Sequence, residues 1–183
     1  MVNMSQVRGD VIKELEAVFG DRLFTEPHIL ALYSHDASSE PGVKPMAVIQ
    51  PINTSEVTKV VRLAIEYGFK IIPVGSNTSL SGNATPKLEN TVIVSMERMN
   101  SIIEFSDIDW YARVQPGIKV DELNLELMNY GLQWPVDPAS SKTATVGGVI
   151  SNGGGGMRGA KYGPASHWVL GLEAVTGTGD VIR

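Results

Sequence analysis

The chain has 183 residues, 43% of them hydrophobic and 19% charged, with a formal net charge of −5. That length fits one domain or a compact piece of a larger protein, and that composition favours a buried core over disorder. Lysine and arginine are scattered, which argues against a nucleic-acid footprint, and the absence of cysteine excludes disulfides, thiolate metal ligands and cysteine nucleophiles.

Met1 to Asp10 lacks the apolar centre of a signal peptide, and no apolar run approaches membrane-spanning length. The expectation is a cytoplasmic protein, with peripheral attachment to the inner face of the membrane left open. Val7, Val11, Leu15 and Val18 recur at helical spacing and Gly20 is placed to end that helix. A second short helix opens at Pro27, with Thr25 nearby as a cap. Ser38 to Pro45 is a polar connection, so residues 1–44 read as a helical lead and 45–183 as the main domain.

Met46 to Gln50 reads as a strand, followed by a helix capped by Asn53 or Thr54, with Glu56 in its first turn. Val57, Val60, Val61, Ala64 and Ile65 give that helix an apolar face, Gly68 closes it, and Lys70 to Val74 is the next strand. Strand, helix, strand at this length is a βαβ crossover, which makes the two strands parallel. Three short strands are predicted at Thr91–Ser95, Ser101–Phe105 and Tyr111–Gln115, then a helix from about Val120 to Tyr130 with Gly131 as its stop. The stretch from Gln133 to Pro164 is rich in Gly, Pro and Ser, and only Thr145 to Asn152 has a brief helical pattern. Long loops of this kind inside a domain are usually functional. Val169 to Thr176 reads as a strand, Gly177 to Asp180 as a turn, and Val181 to Arg183 as the start of another strand. A hairpin strand of three residues leaves a pairing edge unsatisfied, so the expectation is that the protein continues.

Nineteen glycines are the unusual feature. The loop Gly75-Ser76-Asn77-Thr78-Ser79-Leu80-Ser81-Gly82 directly follows a strand ending at Val74. Gly75 and Gly82 allow positive φ and Asn77 tolerates it, so successive amides can form an anion-binding nest with hydroxyls nearby. The loop carries no Lys or Arg, contains no Gly-Lys-Ser/Thr and lacks Gly-x-Gly-x-x-Gly, which sets aside a Walker A loop and a Rossmann dinucleotide site. A Ser/Gly-rich surface loop is the competing reading. The second region runs Asp137-Pro138-Ala139-Ser140 and then Thr145 to Gly156, where Gly147 and Gly148 let a ligand or another backbone approach closely. A flexible linker competes there, weakened by the Lys161-Tyr162-Gly163 segment that follows. His28, His35 and His167 show no ligand spacing, Arg158 and Lys161 read as solvated or anion-neutralising, and Trp110, Trp134 and Trp168 as core or subunit-contact residues.

Taken in order, Pro73–Gly82, Val114-Gln115-Pro116-Gly117, Gly131–Ser140, Thr145–Gly156, Lys161-Tyr162-Gly163 and Val169–Glu173 resemble the p-cresol methylhydroxylase-type FAD-binding domain of the vanillyl-alcohol oxidase-like flavoproteins. The branch is that of the glycolate oxidase catalytic subunit, D-lactate dehydrogenase and D-2-hydroxyglutarate dehydrogenase, and Tyr33–Ser38 resembles the family's N-terminal lead. The resemblance implies an α+β fold of two subdomains, incomplete at its C-terminus, with a separate substrate domain absent. It implies FAD, its diphosphate held at Val74, Gly75, Ser76, Asn77, Thr78, Ser79, Leu80 and Gly82. The flavin and ribityl side falls to Asp137, Pro138, Ser140, Thr145, Gly147, Gly148, Ser151 and Asn152, with Tyr162 and Gly163 nearby. Thr78 stands about where distant members attach flavin through a His, so the FAD is expected to be non-covalent. Full-length relatives oxidise a small D-2-hydroxy acid by hydride transfer to flavin N5 and pass electrons to a quinone, a cytochrome or an electron-transfer protein. The catalytic groups are expected outside this chain, no metal is expected, and a homodimer or a multisubunit complex stays open. A non-catalytic FAD-binding, electron-transfer module of a larger complex is the alternative.

Overall fold

Helix α1 (Met4–Phe19) opens the computed structural model, which describes residues 4–183, with side-chain burial given from Arg8 onward. Val11, Leu15 and Phe19 form its buried stripe, and Gly20 ends it at φ +52°. Val7, counted toward that stripe in the sequence, lies outside the side chains described. Strand β1 (Leu23–Phe24) follows, then α2 (Pro27–Leu32) with Pro27 in its first turn. The cap of α2 is Glu26 rather than Thr25, and its carboxylate accepts the Thr25 amide.

Strand β2 (Ala47–Ile49), helix α3 (Thr54–Tyr67), strand β3 (Lys70–Val74) and strand β4 (Thr91–Ser95) complete a four-stranded sheet of order β1-β2-β4-β3. Asn53 caps α3 by accepting the Glu56 amide, and Gly68 closes it in the left-handed region. The crossover strands β2 and β3 are parallel as expected, but each pairs with β4, which is inserted between them. Every residue of β2 and β4 is buried, which explains their unbroken apolar runs. Pro73 sits in β3, an edge strand, where a missing N–H costs no ladder bond. Periodicity gave no hint of two-residue β1, which pairs antiparallel with β2 through Leu23↔Ile49 and Phe24↔Val48.

Compactness divides the chain into two units, one running through Ser95 and taking in Glu173–Arg183, the other spanning Met96–Leu172. In the second, β5 (Ile102–Ser106) and β6 (Tyr111–Val114) form a hairpin whose turn places Trp110 at φ +57°. Helices α4 (Val120–Met128), α5 (Val146–Ser151) and α6 (Gly159–Tyr162) follow. Their core is Ile118, Val120, Leu123, Leu127, Val136, Val146, Val149 and Ala165, with Trp134 packed against it. Trp134 is half-buried against that core.

The expected strand Val169–Thr176 shrinks to β7 (Ala174–Val175), paired with β8 (Val181–Ile182). Leu170 is 86% exposed and Leu172 58%, so the leucines of the apolar run that suggested a longer strand stand in solvent. β7 packs on α3, and Glu173 accepts from Thr54 Oγ1 at 2.6 Å and from Arg183 at 2.9 Å. Helices and sheets are mixed in the way the α+β expectation required. Among the described residues no helix is long and apolar enough to cross a membrane.

Candidate cofactor-binding site

In the first unit the site begins where β3 runs out. Val74 is buried and pairs with Ser95, so the loop from Gly75 leaves the carboxyl end of a parallel strand, the usual place for ligands in such sheets. Gly75 to Ser79 are half-buried, whereas Leu80 and Ser81 are exposed. Asn77 takes φ +56° and Gly82 φ +74°; Gly75 is not among the positive-φ residues, so only two of the three expected positions take that geometry. A Cβ on Gly82 would also come within 2.7 Å of Glu40 Cγ.

The hydrogen-bond ledger of this loop is unusual. Among the described residues, no acceptor within the chain takes the backbone N–H of Gly75, Ser76, Asn77, Thr78, Ser79 or Leu80. The buried Ser76 Oγ and Asn77 Oδ1 also find no partner. Half-buried backbone donors ordinarily find partners, in the protein, in water or in a ligand. A run of unmatched donors without a cationic side chain suits a diphosphate bound by dipoles. The residues present therefore fit the diphosphate of a dinucleotide.

Holding this loop is a residue the sequence reading left in the lead. Asp36 is 4% exposed, yet its Oδ1 accepts the Ser38 amide at 2.9 Å and its Oδ2 the Ala84 amide at 3.3 Å. The Asp36 amide donates to Thr85 Oγ1 at 3.1 Å. Burial opposes the charge, but hydrogen bonds with Ser38, Ala84 and Thr85 outweigh it and hold the carboxyl below its ordinary pKa. Next to it, the Ala37 amide donates to Asn77 O at 3.1 Å, and Asn77 Nδ2 donates to Leu32 O at 3.3 Å. The available signal was Asp36-Ala37-Ser38, an Asp placed to accept the amide two residues on.

In the second unit the predicted residues are knitted together mostly by backbone. Thr145 is buried and caps α5, its Oγ1 accepting the Gly148 amide at 3.2 Å. The Gly147 amide donates to Pro116 O at 2.9 Å, and a Cβ on Gly147 would meet Pro116 Cβ at 2.5 Å. The close approach read from this glycine is thus another stretch of backbone. Asn152 Nδ2 donates to Gly148 O at 2.9 Å, and Ser151 is exposed. A Cβ on Gly156 would lie 2.0 Å from Asp137 O, so the glycine run is packed at this point and is not a linker. Asp137 Oδ1 accepts the Arg158 amide at 2.9 Å, and the Arg158 guanidinium reaches Asp137 Oδ2 at 3.4 Å and Gln133 Oε1 at 2.8 Å. Arg158 is therefore engaged within its own unit. Pro138 O accepts the Ser141 amide, and Ser140 O accepts those of Thr143 and Ala144. Tyr162 stacks edge-on with Trp168, whose indole N–H donates to Tyr162 O at 2.9 Å; Gly163, at φ +78°, faces the His167 ring. No group of three or more His, Cys, Asp or Glu able to hold a metal occurs among the described residues.

Comparison with known proteins agrees with this reading. Residues 45–183 match the family described as FAD binding domain. The chain is 37% identical over 175 residues to the glycolate oxidase subunit GlcD of Bacillus subtilis (strain 168), covering 95% of this chain and 37% of that protein. It is 34% identical over 168 residues to a D-2-hydroxyglutarate dehydrogenase of Xanthomonas citri pv. viticola, covering 92% of this chain and 35% of that one. The solved structure of p-cresol methylhydroxylase with substrate bound superposes with a TM-score of 0.82 at 23% identity, over 100% of this chain and 36% of that one, a likeness of fold. The chain thus spans little more than a third of the length of the relatives it matches. With the fold, the glycine loop and the sequence match in agreement, the chain belongs to the FAD binding domain family and is related to flavin oxidoreductases of the glycolate oxidase and D-2-hydroxyglutarate dehydrogenase kind.

Proposed function

We propose that this chain holds FAD non-covalently for an oxidoreductase acting on a small D-2-hydroxy acid of the glycolate or D-lactate type. The observation that carries the reading is the run of unmatched backbone donors from Gly75 to Leu80 at the carboxyl end of β3. In this proposal those amides, with Ser76, Asn77, Thr78, Ser79 and Gly82, bind the diphosphate. The segments Asp137–Ser140 and Thr145–Asn152, with Tyr162 and Gly163, serve the flavin and ribityl through backbone groups. Gly147 and Gly148 act there without side chains because Pro116 and Thr145 already fill the space beside them. Thr78 at the loop centre offers no nucleophilic ring nitrogen, which favours non-covalent attachment. When bound, FAD supplies the electron sink for hydride removal from the substrate carbon, while the protein provides orientation and electrostatics. The names of the relatives support the choice of substrate class. Electrons pass onward to a quinone, a cytochrome or an electron-transfer protein.

The test uses the full-length protein that contains this chain. It is expected to be yellow, to release its flavin into the supernatant on acid precipitation, and to bleach anaerobically with glycolate or D-lactate. Protein that holds no flavin and cannot be reconstituted with FAD refutes the proposal. Flavin that stays with the precipitate refutes non-covalent attachment. Flavin that no hydroxy acid reduces until a second polypeptide is added would assign the chain to a cofactor-binding module instead.

A further inference from the structure

We infer that Asp36 is a positioning residue for the diphosphate loop, shaping it for the cofactor without touching the cofactor itself; the inference rests on the FAD reading above. Segment Leu32–Ser38 grips the loop at both ends. Near the start, Asn77 O accepts the Ala37 amide and Asn77 Nδ2 donates to Leu32 O. At the far end Asp36 accepts the Ala84 amide and donates its own amide to Thr85 Oγ1. Only Thr78 to Asn83 lie between these anchors, and Asn77 is held at φ +56°, a conformation that costs free energy unless the surroundings fix it.

The chemistry of the anchor matters as much as its place. The two backbone groups facing the Asp36 carboxylate, the amides of Ser38 and Ala84, are both donors. A carboxylate has two acceptor oxygens and satisfies both, whereas an amide side chain would set an N–H against one of them. The same bonds account for the charge. A buried carboxylate near an anion site would repel the ligand, but here each oxygen is taken up by a flanking amide. The Ala84 donor beyond the loop goes to Asp36, and the inner ones, Gly75 to Leu80, are left for the diphosphate. Without the carboxylate the loop must be ordered when the ligand binds, and that ordering subtracts from affinity.

The test is Asp36→Asn, with Asp36→Ala beside it, in the full-length protein stripped of flavin. Dissociation constants for FAD, ADP and riboflavin are measured by titration, with thermal melting of the apoprotein alongside. Asp36→Asn keeps one acceptor and the side-chain volume, so it decides the matter if Asp36→Ala fails to fold. The expected result is FAD and ADP binding weaker by roughly tenfold or more, since a charge-assisted hydrogen bond is lost. Riboflavin, which carries no phosphate, binds as to the wild type. Wild-type FAD affinity in Asp36→Asn overturns the inference. Equal loss of FAD and riboflavin together with a lowered melting temperature also overturns it, because it assigns Asp36 to stability alone. Wild-type protein that binds no FAD fails at the earlier step and takes the inference down with the function.

Discussion

Gly147 and Gly148 are adjacent in α5, yet the structure assigns unequal consequences to replacing them with alanine. In a helix interior, Gly→Ala gains up to about 1 kcal/mol from propensity. At Gly147 the new methyl would sit 2.5 Å from Pro116 Cβ and 2.8 Å from Pro116 O, atoms of a ring and a backbone that cannot rotate aside. Relief requires α5 to back away, stretching the 2.9 Å bond from the Gly147 amide to Pro116 O. Overpacking of this kind costs about 1–3 kcal/mol, and weakening the bond adds up to about 1 kcal/mol, so Gly147→Ala should destabilise by about 1–3 kcal/mol net. At Gly148 the nearest atom is Thr145 Oγ1 at 3.0 Å, the end of a side chain that can give. There the propensity gain offsets a weakened cap, itself worth about 1 kcal/mol, and the change should stay within about 1 kcal/mol of zero. Denaturant unfolding followed by tryptophan fluorescence separates the two variants, since Trp134 packs against the core that contains Val146 and Val149. Gly147→Ala as stable as Gly148→Ala would refute the packing argument. Full stability of Gly147→Ala with loss of FAD would show that the glycine exists for the ligand.

Other expected outcomes follow from the same geometry. Glu56 accepts from Arg22 at 2.5 and 2.8 Å and from the Ile52 amide at 3.0 Å, so Glu56→Ala should cost about 2–3 kcal/mol. Hydrogen bonding to Arg22 outweighs burial and depresses the Glu56 pKa. Its stabilisation is therefore present above the ordinary glutamate range and lost as pH falls through the lower folded value; a variant with wild-type acid sensitivity contradicts this. Trp110 is 76% exposed at φ +57°, so Trp110→Gly should be neutral or stabilising by up to about 1 kcal/mol in thermal melts, and clear destabilisation would reveal an unseen role. Gly82→Ala strains φ +74° and crowds Glu40; FAD affinity measured by titration should fall at least several-fold, and an unchanged value would place the loop elsewhere.

Much of the fold was legible because local signals and burial agreed. Lys70–Val74 and Thr91–Ser95 were readable to the residue: Gly68 and Gly75 bracket the half-buried edge strand β3, and the β-branched run Val92-Ile93-Val94 marks β4 as buried on both faces. Asn53, Glu56 and Gly68 bounded α3 by capping chemistry alone. What could not be read depended on partners distant in sequence. The two-residue β1 exists because Ile49 and Val48 offer it an edge. Conversely, Val169 to Glu173 has strand composition but no strand pairing, and its exposed leucines show that composition without a partner makes no ladder. The insertion of β4 between β2 and β3 is likewise a pairing choice that the crossover pattern leaves open.

The candidate site shows the same division at the level of single hydrogen bonds. Residue types announced a loop poor in charge and rich in backbone donors, and the structure leaves those donors unmatched. Of the two close approaches read for Gly147, a ligand or another backbone, the second is present and is Pro116. Asp36 was invisible as a site residue because a lone aspartate in a polar lead is ordinarily a solvated turn former. Its meaning comes from the Ala84 amide, 48 positions away, which takes up the carboxylate oxygen left over after Ser38. Sequence thus discloses which groups a segment offers, while tertiary contacts decide which of them are already spent. A ligand can use only those that remain, and among the described residues of the loop after β3 the amide run from Gly75 to Leu80 remains.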